Sequence, residues 1–174
     1  MKQLLLSVFL VGLVGFLVIA PKAFAEGKGK LGSIQVLFDR GLDGKTGEQA
    51  NQYNQVGDYF EPYFIRLFAK TGYTVTKITS RDQFVAASDQ YLLTVKTVNY
   101  NPGSKAARMW VGMGAGATTM KIHFELFGTE KEALLVKDQE RGSSRDWQFL
   151  CTKLSDDALQ QVKPVLAGKA ASAK

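Results

Sequence analysis

The chain has 174 residues, ample for one domain to bury a core without covalent staples. Lys and Arg number 22 against 16 acids, a net charge of +6 spread without a long basic run, which argues against nucleic acid as a partner. A single cysteine, Cys151, excludes a disulfide within the chain, and a single histidine leaves little material for a metal site or for acid–base chemistry.

Met1 and Lys2 lead into an apolar run from Leu4 to Ala20, followed by Pro21 and the small-residue site Ala23-Phe24-Ala25. This is the pattern of a secretory leader, residues 1–25, with cleavage expected before Glu26. As a helix the run reaches only ~26 Å, at the short end of what spans a bilayer. Two lysines and no acid leave with the leader, so the net charge falls from +6 to +4. No cysteine follows the run to accept a lipid, and no second run matches its length. The expectation is a periplasmic protein, not a lipidated lipoprotein, with any outer-membrane contact peripheral.

Residues 26–32 read as a flexible lead-in, residues 33–164 as one domain and residues 165–174 as a flexible tail. Ser33 to Phe38 places Ile34, Val36 and Phe38 on one side of a strand. After a Gly/Asp turn, Thr46 and Gln49 fit a capping box, and Tyr53, Val56, Phe60, Tyr63, Phe64, Leu67 and Phe68 recur at helical spacing until Gly72. Seven such side chains supply a gross burial term on the order of 10–20 kcal/mol, so this stripe must lie on a sheet. Tyr73 to Ile78 reads as a strand, Ser80 to Ser88 as a short capped helix, and Tyr91 to Tyr100 as a long strand closed by Asn101-Pro102-Gly103-Ser104. Ala107 to Val111, Thr118 to Phe127 and Ala133 to Gln139 continue as strands of a meander. A last helix from about Asp146 carries Trp147, Leu150, Cys151, Leu154, Ala158 and Val162 on one face. The fold class predicted is a single α+β domain: an antiparallel or mixed sheet of about five strands, with the long and terminal helices on one face.

Motifs of chemistry are few. Gly44-Lys45-Thr46 sits where a phosphate loop would, but Asp39 stands where that loop needs glycine, so a turn and helix cap are expected. Gly112, Gly114 and Ala117 imitate a dinucleotide fingerprint, yet they lead into a strand and not a helix. Glycines at 112, 114 and 116 then require a bulge, a hairpin tip or a close backbone approach. Arg108 and Trp110 beside them form an amphipathic pair of the kind enriched at interfaces. Arg108, Trp110, Gly112, Gly114 and Gly116 are therefore the candidate interaction surface. Arg141, Ser143, Ser144 and Arg145 precede the last helix and are the candidate anion site, with a solvated loop capped by Ser144 as the ordinary alternative. His123 and Cys151 have no partner at catalytic spacing, so no catalytic residue, metal or cofactor is assigned.

Within residues 101–128, Gly103-Ser104, Ala106-Ala107-Arg108, Val111-Gly112 and Gly114-Ala115-Gly116 match the G-S-x-A-A-R turn and V-G-x-G-A-G run of a bacterial family of domains of unknown function, DUF4410. The stretch resembles that family, which implies an exported envelope protein, often a lipoprotein, with no reaction assigned. More remotely, the element order around Thr71-Gly72-Tyr73-Thr74-Val75 is similar to the periplasmic domain of the curli-export lipoprotein, whose relatives assemble into envelope complexes. The functional expectation is a non-catalytic envelope protein acting by contact with another envelope protein or with itself. The alternative is a periplasmic binding module for an anionic lipid or polysaccharide.

Overall fold

The computed structural model describes residues 31–104 and 116–172, with side chains as far as residue 169. Strand β1 (Ser33–Asp39) leads through helix α1 (Gly47–Ala69) to β2 (Thr74–Ile78), and then β3 (Gln90–Asn101), β4 (Thr118–Phe127), β5 (Ala133–Ser143) and helix α2 (Trp147–Ser172) follow. The five strands form one sheet in the order β2-β1-β3-β4-β5. β1 is parallel to both of its neighbours, whereas β3, β4 and β5 run antiparallel, so the sheet is mixed.

Alternation sets which face is covered. Ile34 and Val36 of β1, Tyr91, Leu93 and Val95 of β3, and Met120, Ile122, Phe124 and Leu126 of β4 point to one side. There they meet Tyr53, Val56, Phe60, Phe64 and Phe68 of α1 and Leu150, Cys151, Leu154, Ala158 and Val162 of α2, all buried. The opposite side carries a smaller cluster, Ile78, Leu92 and Phe127, with Leu37 and Phe84 packed on it. Phe84 belongs to the connection from β2 to β3, which covers that part of the sheet. A single 3-10 turn, Arg81–Gln83, stands where a short helix was predicted over Ser80–Ser88. Ser80 does cap it, accepting from the Asp82 N–H at 3.3 Å. Beyond the turn the apolar Phe84 has a sheet to cover, and extended chain takes it there.

Other boundaries also shift. Thr46 is the N-cap of α1, but its side chain makes no cap hydrogen bond, so the capping box is not formed. β5 runs to Ser143, four residues past the expected Gln139, because its pairing with β4 continues to Thr118. Helix α2 passes through Pro164 and continues to Ser172, where a tail was expected. Leu166 is 3% exposed and Val165 packs on the core, so burial holds the turn that proline weakens. No described helix is long and apolar enough to cross a membrane.

Candidate interaction surface

Arg108, Trp110, Gly112 and Gly114 lie outside the described residues; of that group the structure places Gly116, together with the base of the β3–β4 connection. The base is tightly closed. Asn101 Oδ1 accepts from the Gly103 N–H at 2.9 Å, the Ser104 N–H donates to the Gly116 carbonyl at 3.0 Å, and Thr118 Oγ1 donates to the Pro102 carbonyl at 2.9 Å. A Cβ on Gly103 would lie 2.3 Å from the Gly116 oxygen, and both residues have positive φ, +72° and +68°. Here glycine is required by close backbone approach and left-handed geometry together.

Beside this base opens a cavity of about 740 Å³ between the N-terminal ends of both helices, its walls including Glu48, Gln52, Tyr100, Thr118, Asp146 and Trp147. The Trp147 ring stands edge-on to Tyr59 at 5.4 Å, and Tyr59 stacks on Tyr63 at 6.2 Å. All three rings are half-buried, so an aromatic row ties α1 to α2 and still faces outward. Helical spacing assigned Trp147 and Tyr63 to the core stripe. Their place at its margin depends on how the two helices lean together, which spacing does not encode.

Of the Arg141–Arg145 stretch, only Ser144 and Arg145 lie between the last strand and the last helix. Arg141 and Ser143 belong to β5, and the Arg141 Nε donates to Asp157 Oδ2 of α2 at 2.7 Å. That bond, with the charge of Asp157, raises the Arg141 pKa further above its ordinary value. Ser143 Oγ accepts from the Arg145 N–H at 2.9 Å, and the Arg145 guanidinium lies 4.7 Å from the centre of the Phe149 ring. Asp146, immediately before α2, accepts from the Phe149 N–H at 2.7 Å as an N-cap side chain does. An anion here would meet an Arg141 whose Nε is already taken by a carboxylate.

On the helix-free face, one row crosses four strands: Asp39, Lys96, His123 and Asp138. Lys96 bonds Asp39 at 2.8 Å, and His123 Nδ1 lies 2.7 Å from Asp138 Oδ1 while Nε2 lies 3.4 Å from Glu125. The bond to Asp138, supported by Glu125, raises the pKa of His123. Cys151 is fully buried, and desolvation pushes its thiol up to about 12. A third feature, announced by no local motif, stands at the carboxyl ends of β1 and β2: Glu61, 5% exposed, receives both Arg40 Nε at 2.6 Å and Lys77 Nζ. Gly57 leaves the room, since a Cβ there would sit 2.7 Å from Arg40 Nε. Among the described residues no group of three or more His, Cys, Asp or Glu side chains is placed to hold a metal.

The chain belongs to DUF4410, a family of domains of unknown function, and the match covers residues 47–146. No curated protein matches the sequence. Among solved structures the fold is similar to PelC from Paraburkholderia phytofirmans. A dodecamer of a PelC variant in space group C2 aligns with a TM-score of 0.51 and 13% identity over 74% of this chain and 87% of that one. A PelC dodecamer in space group P6 aligns at 0.50 with 12% identity, over 74% and 86%. The likeness to the curli-export lipoprotein, drawn from element order, gives way to this one. Strand–helix–strand followed by a meander is too general an order to separate such domains.

Proposed function

We propose that the chain is an exported, non-catalytic envelope component of exopolysaccharide secretion that works as an assembly of its own copies. The observation that carries the reading is the fold shared with PelC, a protein crystallised as a dodecamer in two space groups. The secretory leader and the DUF4410 membership support an envelope location. A non-catalytic role is supported by the two obvious reactive groups. The Cys151 thiol has no access to solvent and supplies no thiolate near neutral pH, and His123 lies on an open sheet face engaged with two carboxylates. For the contact itself the sequence offers Arg108 and Trp110, and the structure adds the aromatic row Tyr63, Tyr59 and Trp147 beside the same hairpin base. A contact between different patches on successive copies closes into a ring when its rotation allows.

Light scattering and native mass spectrometry of the purified protein over a wide concentration range test the assembly. A defined multi-subunit species is expected, and Gly103→Val, which breaks the hairpin base, should lower its order. Monomers at every concentration would sink the assembly reading. Deletion of the gene should abolish secreted exopolysaccharide, and unchanged secretion would remove the pathway assignment. A His123→Ala protein is expected to restore secretion fully; failure with the assembly intact would point to chemistry at that residue.

A further inference from the structure

A second concave surface lies away from the β3–β4 hairpin. Leu31, Tyr73, Leu159, Leu166 and Ala167, with the stem of Lys163, enclose an apolar groove of about 280 Å³ between the start of β1, the turn after α1 and the last turns of α2. Its walls carry little unmet polarity: Thr71, also in the lining, donates its hydroxyl to the Phe68 carbonyl at 2.6 Å. Leu31 is 50% exposed at the rim. Lys163 is in the wall and Lys70 precedes Thr71; both are exposed, and neither makes an ion pair among the described residues. An apolar slot with an unneutralised ammonium group in its wall complements an amphiphile with an anionic head.

The position of the groove along the chain names the source of that amphiphile. Leu31 is where the polypeptide enters the fold, and only residues 21–30 separate it from the apolar run ending at Ala20. Ten residues span at most about 35 Å, so while the leader is in a bilayer Leu31 stays within that reach of lipid. Cleavage before Glu26 removes that tether and leaves Leu31 and the lysines in place. We propose that this groove is a docking site for a bilayer surface carrying anionic headgroups, with Leu31 entering the acyl region and Lys163 meeting the phosphates. The proposal goes beyond the assembly reading and does not depend on it.

Flotation of the purified protein with phosphatidylethanolamine/phosphatidylglycerol vesicles, and with phosphatidylcholine vesicles, tests the proposal. Mass spectrometry of each sample fixes its N-terminus, so that variants are compared in the same processed form. The wild-type protein is expected to float with the anionic vesicles and not with the neutral ones. Leu31→Glu and Lys163→Glu should each lower retention roughly tenfold, whereas Val85→Glu, 68% exposed in the β2–β3 connection, should leave it unchanged. All three positions are exposed, so a thermal melt should show folded protein in every case. No flotation of the wild type, equal flotation with both vesicle types, or Leu31→Glu behaving like Val85→Glu would overturn the proposal. Oligomer size is measured on the same samples: vesicle binding lost with assembly intact bears on the groove alone, and monomeric wild type that still floats bears on the assembly alone.

Discussion

Glu61 shows how one side chain can set the chemistry of a strand end. Its carboxylate is buried between Arg40 and Lys77, and Arg40 reaches on to Asp58 at 2.8 Å and to Asn54 Oδ1 at 3.1 Å. Removing the carboxylate strands a guanidinium that is only 26% exposed, although Asp58 stays as a partial partner. Glu61→Ala should therefore cost about 2–3 kcal/mol, below the full penalty for breaking a buried pair, as read from urea denaturation. His123 makes a pH-dependent contribution. Its folded pKa is raised by Asp138 and Glu125, so the stability it adds is fully present below the unfolded value near pH 6.5 and fades as pH rises through the folded value. Asp138, lowered by His123 first and then by Lys121, works in the opposite direction, losing its share as acid protonates it. With one histidine in the chain, a single imidazole resonance in an NMR titration reports this directly. Its midpoint should lie above 6.5 and move down in Asp138→Asn.

At the scale of elements, α1 owes its place to a ladder of aromatic rings. Phe64 stacks on Phe68 at 4.4 Å and meets Phe60 and Phe38 edge-on at 5.5 and 5.7 Å, with no exposure of its own. Phe64→Ala should cost about 3–5 kcal/mol, since the surrounding rings cannot collapse into the gap. Tyr63, one residue away and half-exposed, should cost about 1 kcal/mol or less on the same change, and equilibrium unfolding separates the two. The buried face of α1 and the inward side of β1 were legible because 3.6-residue and 2-residue periods are written in Val56, Phe60 and Phe64 and in Ile34 and Val36. Helix ends were not. Pro62 lies inside α1 and Pro164 inside α2. Each breaks a local rule worth about 3 kcal/mol, yet burial of residues beyond it, such as Phe64 and Leu166, is of the same size or larger.

For the whole molecule, the lone thiol offers a clean measure of global opening. Cys151 has no exposure and lies against both helices and the sheet, so a thiol reagent should label it at the rate of unfolding, and reductant should leave the melting temperature unchanged. Labelling of native protein within seconds would mean that α2 detaches on its own. The amino-acid order alone determined the α+β class, the two apolar helix faces and the family pattern around Gly103 and Gly116, because each is carried by residues close together in the chain. It nominated Arg141 for an anion without foreseeing that Asp157, sixteen positions later, would take the guanidinium. Only the tertiary structure decided the parallel arm β2-β1-β3, the Arg40–Glu61–Lys77 cluster, the outward aromatic row at Trp147 and the apolar groove at Leu31. These join positions far apart in the chain, and such contacts depend on strand order and helix lean, which no local period records.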